Sequence, residues 1–156
     1  MGRALQHART NGVVSLAEDG YVVHPSVEHL LLALLDEWET TPSQILASLG
    51  TDLEQVRSAI EAALPEGNFD DILAQYLRAH PGIHQAAIYS DPAPDLGIAR
   101  REAESEVANS GDTHLRPEHL LLGVLAARDS FAARTIAAQG VSASQLRTRL
   151  KDDSDD

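Results

Sequence analysis

The pentapeptide Glu-His-Leu-Leu-Leu occurs twice in the chain, at residues 28–32 and 118–122, which are 90 positions apart. Residues 28–60 align with residues 118–150 without a gap, and ten of the 33 aligned positions are identical. An internal repeat constrains the fold more than any single motif, because its copies adopt the same local structure and pack against one another. The sequence therefore predicts a pseudo-symmetric domain built from two copies of one unit.

The spacing of apolar residues predicts that each copy begins with a helix, ahead of the pentapeptide. In the first copy the apolar stripe lies within residues 3–19 and consists of Leu5, Ala8, Gly12 and Leu16. In the second copy it consists of Leu96, Ala99, Ala103 and Val107. Apolar residues at three-to-four spacing form one face of a helix, and glycine commonly follows the end of one. We therefore expect these helices to end at Gly20 and Gly111.

The pentapeptide itself predicts a buried second helix in each copy. Ser26 is placed to cap the first of these helices, and Pro117 suits the first position of the other, where its missing N–H needs no partner. The leucine-rich runs at residues 30–35 and 120–125 are apolar on nearly every side. A helix of this kind is expected at the centre of a domain.

Two further helices are predicted in each copy. Gly50 and Gly140 end the third helix, and Thr51 and Ser142 are placed to cap the fourth. No segment shows a convincing strand pattern. The predicted fold class is therefore all-α, with two pseudo-twofold-related four-helix repeats packed as one domain.

The segment between the copies is predicted to be a linker with one extra short helix over residues 70–80. Residues 90–95 are predicted to be irregular chain that leads into the next helix. The predicted domain covers residues 1–151. Its parts are repeat one at 1–64, the linker at 65–93 and repeat two at 94–151, followed by an acidic tail at 152–156 that is expected to be disordered.

Most of the few aromatic residues lie in or beside this linker, at Phe69, Tyr76 and Tyr89. Aromatic side chains that are partly exposed often anchor protein interfaces. The alternative is that they cover the seam between the two repeats.

Composition limits the class of protein. Hydrophobic residues make up 43% of the chain and aromatic residues only 4%, so aliphatic side chains must form the core. The absence of cysteine excludes disulfides and thiolate metal sites, and it fits a reducing compartment. No stretch approaches the ~20 apolar residues of a membrane span, and the start of the chain lacks an apolar signal core. We therefore expect a cytoplasmic protein without a membrane partner.

The formal net charge is −12. This argues against a nucleic-acid partner, because such binding needs clustered Lys and Arg to neutralise phosphates. It is compatible with basic peptides or a basic partner surface. Simple solubility is the alternative explanation of the same charge.

The repeats resemble the N-terminal domain of Clp-type AAA+ unfoldases, the double Clp repeat domain. In repeat two the resemblance is carried by Gly-Asp-Thr-His-Leu-Arg-Pro-Glu-His-Leu-Leu-Leu-Gly-Val-Leu at residues 111–125 and by Ala-Ala-Gln-Gly-Val at 137–141. In repeat one it is carried by residues 26–35 and by Ala-Ser-Leu-Gly at 47–50. It covers nearly the whole chain except the linker and the tail.

The resemblance implies a protein-binding module that receives substrates or adaptor proteins for a Clp ATPase. It also implies a site for phosphorylated arginine, in which the Glu of the motif holds the guanidinium and a Thr at the preceding helix start holds the phosphate. Carried over, Glu28 and Glu118 are the acidic partners, while Gly2 and Ala93 occupy the Thr positions and offer no side-chain donor. From the residues alone, the two Glu side chains can equally be helix caps.

An enzymatic role is not predicted. The sequence contains no Gly-Lys pair, so it lacks the phosphate-binding loop of an ATPase, and no nucleophile motif is present. His29 and His119 are expected to pack or to form hydrogen bonds between the repeats. His80 and His84 flank a Pro-Gly pair, which makes a shared metal ion improbable. No cofactor is expected.

The start at Met1 and the length of 156 residues favour a free-standing Clp-repeat protein over an excised domain. Such a protein would act as an adaptor or compete for substrates. The alternative function rests on the same resemblance, because similar domains in actinobacteria are targets of cyclic-peptide antibiotics. A detached copy would then bind such a compound as a decoy that protects the Clp ATPase.

Overall fold

The computed structural model describes residues 2–36, 41–82 and 87–152. Its helices are α1 (Gly2–Thr10), α2 (Val27–Leu35), α3 (Thr41–Ser48), α4 (Leu53–Ala63), α5 (Phe69–Ala79), α6 (Pro94–Ser110), α7 (Pro117–Ala126), α8 (Phe131–Ala138) and α9 (Ala143–Asp152). Its strands are β1 (Val14–Leu16), β2 (Gly20–Val23) and β3 (Ala87–Ser90). Residues 153–156 of the predicted tail and His84 lie outside the described residues.

Helices α1–α4 and α6–α9 form the two predicted four-helix repeats, and the all-α class is confirmed. The leucine-rich helices α2 and α7 lie at the centre, where Leu31 and Leu121 are fully buried. One hydrophobic core contains residues from both repeats, including Leu46 of α3 and Leu146 of α9. The two repeats therefore share their main hydrophobic core.

The predicted helix boundaries are largely confirmed. Ser26 precedes α2, Pro117 is the first residue of α7, and Gly111 ends α6 in the left-handed conformation at a φ of 78°. Ser142 caps α9, since its hydroxyl oxygen accepts the backbone N–H of Gln145 at 3.3 Å.

The predicted cap of α4 is wrong by one residue. Asp52, not Thr51, accepts a hydrogen bond from the backbone N–H of Gln55, at 3.0 Å. Thr51 is buried instead, and its hydroxyl has no hydrogen-bond partner in the described part of the chain. A carboxylate forms the stronger bond to an N–H at a helix start, which explains why the neighbouring Asp takes the cap position.

The prediction of one helix over residues 3–19 is wrong beyond Thr10. An Asn-Gly pair at residues 11–12 ends α1, and β1 and β2 form an antiparallel hairpin in which Val14 pairs with Val23. The β-branched and aromatic residues of this segment favour strands. Gly20 is therefore a strand residue and not a helix end. A Cβ at Gly20 would overlap the backbone of Ala87, so only glycine allows β3 to approach.

The linker is more ordered than the sequence suggested. The extra helix predicted over residues 70–80 is observed as α5, but residues 87–90 form β3, which pairs in parallel with β2. The absence of strands predicted from the sequence is thus corrected by a small sheet of order β1-β2-β3. Helix α5 packs on this sheet, where Phe69 makes an edge-to-face contact with Tyr21, the ring centroids lying 5.1 Å apart.

The linker aromatics cover the hairpin of repeat one, not the seam between the repeats. Tyr76 is buried, and its hydroxyl donates to the backbone oxygen of Asp19 at 2.8 Å. The more exposed Tyr89 donates to the carboxylate of the same Asp19 at 2.6 Å. Both side chains therefore hold the turn between β1 and β2.

Candidate functional site

Glu28, the first candidate site residue, forms a bridge between the repeats. Its Oε2 accepts the hydroxyl of Ser26 at 2.7 Å, and its Oε1 accepts the backbone N–H of Ala132 at 3.2 Å. Ala132 lies in the first turn of α8, where N–H groups have no partner inside the helix. Burial alone would raise the pKa of Glu28. The hydrogen bonds from Ser26 and from the start of α8 outweigh burial and hold this pKa below its ordinary value.

A second carboxylate lies close to Glu28, on a helix from the other repeat. The N-cap of α6 is Ala93, whose backbone N–H donates to the oxygen of Pro25 at 2.8 Å, just ahead of α2. Asp95 in the first turn of α6 has its pKa raised by burial and by the negative charge of Glu28. Three helix starts, those of α2, α6 and α8, therefore surround Glu28.

Glu118, the second candidate, has no equivalent bridge. It is only 8% exposed, and its Oε2 is buried with no hydrogen-bond partner among the described residues. In the alignment of the repeats, Pro42 of α3 stands at the position of Ala132. Proline has no N–H to donate. A buried acceptor without a donor costs about 1–3 kcal/mol, so a donor that reaches Oε2 of Glu118 would gain binding energy from it.

Glu118 is one of the residues lining a cavity of about 750 Å³ in repeat two. The acidic residues of its wall are Glu102, Glu106, Asp112 and Glu118, and the basic ones are Arg116, Arg147 and Lys151. Two of the basic groups are already paired, Arg116 with Asp112 at 2.9 Å and Arg147 with Glu106, whose oxygen lies 2.9 Å from Nε. The wall therefore presents both signs of charge and two buried carboxylates, Glu106, which is paired with Arg147, and Glu118.

The two motif histidines act alike, and both act within their own repeat. Nδ1 of His29 accepts the backbone N–H of Ser26 at 3.0 Å, and Nδ1 of His119 accepts that of Arg116 at 3.1 Å. Nε2 of His119 faces the carboxylate of Asp112 at 3.1 Å. The expected packing role is observed, whereas neither histidine forms a hydrogen bond to the other repeat among the described residues. Burial lowers the pKa of His29 and so favours its neutral form.

A chain of hydrogen bonds that local sequence patterns do not reveal joins Ser15, His24 and Asp91. The Ser15 hydroxyl lies 3.0 Å from Nε2 of His24, while Nδ1 lies 3.2 Å from the backbone oxygen of Asp91 and 3.5 Å from its carboxylate. A Ser-His-Asp triad needs a buried carboxylate bonded to the imidazole, and this one is 75% exposed. The arrangement ties β1 and β2 to the end of β3.

The structure brings some of the predicted site residues together. Ala93 lies beside the start of α2 and so close to Glu28, although it directly precedes repeat two, which contains Glu118. Gly2 is the first residue of α1. The sequence did not single out Asp95 or Pro42. Pro42 could have been noticed in the gapless alignment of the repeats, where it is aligned with Ala132.

The described residues contain no group of three or more His, Asp and Glu that could hold a metal ion. No helix in the described ranges is long and apolar enough to cross a membrane.

The duplicated four-helix unit, with a Glu-His pair opening each central helix, defines a double Clp-repeat domain. A sequence profile of the Clp repeat (R) N-terminal domain matches residues 17–87 and 95–155. The chain therefore belongs to this family.

Two relatives place the chain at one part of much longer proteins. It is 28% identical over 126 residues to the chaperone protein ClpC2, chloroplastic, of Oryza sativa subsp. japonica, covering 79% of this chain and 12% of that protein. It is 24% identical over 151 residues to the chaperone protein ClpB of Oceanobacillus iheyensis, covering 96% of this chain and 17% of that protein. The chain thus spans less than a fifth of either relative.

Proposed function

We propose that this domain is a non-enzymatic protein-binding module of the Clp system. It receives substrate or adaptor proteins for a Clp ATPase, or competes for them. Membership of the Clp repeat family supports the module, and the absence of a Gly-Lys pair in the sequence supports a role without ATP hydrolysis.

The observation that carries the recognition chemistry is the buried, unpaired carboxylate oxygen of Glu118. A guanidinium presents several N–H donors in a planar fork and binds carboxylates more strongly than neutral donors do. We therefore assign to Glu118 the binding of an arginine side chain of the partner. Glu28 is the second candidate, but its two oxygens already accept hydrogen bonds.

Phosphorylated arginine fits the same cavity through a different set of residues from that of the family. Gly2 and Ala93 cannot supply a hydroxyl. Arg116 and Lys151 line the cavity wall with Glu118 and carry the positive charge that a phosphate requires. The phosphate is thus proposed to interact with these two side chains.

Calorimetry with three peptides of one sequence tests this assignment. The peptides carry arginine, phosphoarginine or neutral citrulline at the same position. We expect Glu118→Gln to weaken binding of the first two by about 10- to 100-fold, the range given by a hydrogen bond to a charged group. Citrulline should bind weakly to both proteins. Equal affinity of wild type and Glu118→Gln for the arginine peptides would overturn the assignment.

Competition is tested separately, in a Clp ATPase–protease assay. We expect the added domain to slow degradation of an arginine-phosphorylated substrate, and Glu118→Gln to slow it less. Unchanged degradation at saturating domain would contradict the competing role.

The cyclic-peptide decoy remains a separate prediction. Tight binding of a cyclic-peptide antibiotic, together with no affinity for the arginine peptides, would favour it over the protein-binding module.

A further inference from the structure

We infer that Pro42 makes the two repeats unequal in binding. Because proline has no N–H to donate, Oε2 of Glu118 stays available to a cationic side chain, whereas the start of α8 already donates a hydrogen bond to Glu28. This inference rests on the proposed function, since it specifies which of the two motif carboxylates binds the partner. It predicts one binding site per chain, although the motif occurs twice.

The first step is the geometry around Glu28. Its Oε1 accepts the N–H of Ala132 at 3.2 Å, a contact between α2 of repeat one and α8 of repeat two. A ligand guanidinium would have to displace this N–H and the Ser26 hydroxyl. One donor is a backbone group and the other is a side chain two residues away, so both are already held in place in the ligand-free protein. A ligand that displaces them therefore gains little binding free energy.

The second step is the equivalent position in the other half. Helix α7 packs against α3 as α2 packs against α8. Pro42 lies in the first turn of α3 and is buried, so the position that would face Glu118 has no N–H. The unpaired Oε2 of Glu118 is the expected result. Proline is tolerated there because the first turn of a helix has unpaired N–H groups in any case.

The third step is the consequence for affinity. A carboxylate that has lost its water without gaining a donor binds a cation with less competition than one that is already satisfied. The residue at position 42 therefore acts on recognition through Glu118, as a positioning residue. It does not contact the ligand in this proposal.

A double-mutant cycle in the ligand-free protein tests the inference without any ligand. In the wild type, we expect Glu118→Gln to leave the thermal midpoint unchanged or to raise it. In the Pro42→Ala background, where an N–H is restored, the same Glu118→Gln change should lower the midpoint by about 2–4 °C. Glu28→Gln, which removes a satisfied carboxylate, should lower the midpoint in both backgrounds and serves as the matched control.

Calorimetry with the arginine peptide is the second measurement. Wild type should bind one equivalent, and Pro42→Ala should bind about tenfold more weakly, because the restored N–H competes for Glu118. Ala132→Pro should release Glu28 and raise the stoichiometry towards two. If Ala132→Pro does not fold, the Pro42→Ala arm alone decides the question.

The outcomes separate this inference from the proposed function. If Glu118→Gln binds the peptide as the wild type does, the proposed function fails. The inference fails and the proposed function stands under a different result. In that case Glu118→Gln weakens peptide binding, but Pro42→Ala changes neither the peptide affinity nor the direction in which Glu118→Gln shifts the thermal midpoint. A wild-type stoichiometry of two would also overturn the inference.

Discussion

The two repeats share a central helix but differ in what packs beside it. In repeat two, α6 is a helix of 17 residues and Gly123 of α7 lies directly against its backbone. In repeat one, α1 has nine residues and is followed by a hairpin that α5 covers. The duplicated motif thus preserves the buried centre, while the first helix of each copy has diverged with the surface that it contacts.

The ion pairs of the two repeats differ in the same way. Arg57 and Arg147 are equivalent, but Arg57 pairs with Asp36 at the end of α2, and Arg147 pairs with Glu106 in α6. Asp36 also contacts His7 of α1 at 2.7 Å. The same arginine therefore connects the last helix of its repeat to different neighbours, which shows that its position is kept while its partner is not.

The largest effect is expected where the central helix of repeat two approaches its neighbour. A Cβ at Gly123 would overlap the backbone oxygen of Ala99, whereas repeat one has Ala33 at the equivalent position. Gly123→Ala should therefore lower the free energy of unfolding by about 3 kcal/mol through overpacking, measured by urea denaturation. The matched change Ala33→Gly should cost only about 1 kcal/mol, the helix penalty of glycine. Equal effects would show that the two helix pairs pack alike.

An intermediate effect is expected at the start of the fourth helix. Thr51 is buried with an unpaired hydroxyl, and its equivalent Val141 is buried and apolar. Thr51→Val should raise the free energy of unfolding by about 1 kcal/mol, because it removes a buried polar group without a partner. The reverse change Val141→Thr should lower it by about 1–2 kcal/mol. Loss of stability in Thr51→Val would reveal a partner for the hydroxyl.

The smallest effect concerns the ion pair found only in repeat one. Burial would raise the pKa of Asp36, but the hydrogen bonds from His7 and Arg57 hold it below its ordinary value. A lowered pKa contributes stability that is present above the unfolded value, near pH 4, and is lost as the pH falls through the folded value. Asp36→Ala, which copies Ala126 of repeat two, should reduce this acid sensitivity and cost about 0.5–1 kcal/mol at pH 7. Denaturation curves at pH 7 and pH 3 measure the loss of stability at pH 7 and the acid sensitivity. A pH dependence that is the same in Asp36→Ala and in the wild type would count against the ion pair.

Much of the fold follows from the sequence because the repeat supplies the same helix signals twice. The N-cap Ser26, the first helical residue Pro117 and the buried leucines could be predicted from local patterns. The hairpin could not be predicted from the spacing of apolar residues. Leu5, Ala8 and Leu16 lie at helical spacing, but an Asn-Gly pair between them ends the helix. Pairing of β2 with β3 depends on residues more than 60 positions apart, and local patterns do not contain that information.

The candidate site was only partly predictable. The motif identified Glu28 and Glu118 as equivalent, and local sequence gives no reason to separate them. Glu28 accepts the backbone N–H of Ala132 on another helix, whereas Oε2 of Glu118 has no donor among the described residues. A carboxylate's state is set by the groups that surround it in three dimensions, so the inequality becomes visible only when the repeats are packed together.

The bond between Glu28 and the start of α8 also bears on how the chain acquires its structure during synthesis. The two residues are 104 positions apart, so the ribosome releases the first long before the second exists. Contacts between distant segments form late and slow the folding of a domain. Until the second half emerges, the leucine-rich helix α2 is incompletely covered, and apolar surface exposed in this way makes a partly folded chain prone to aggregation.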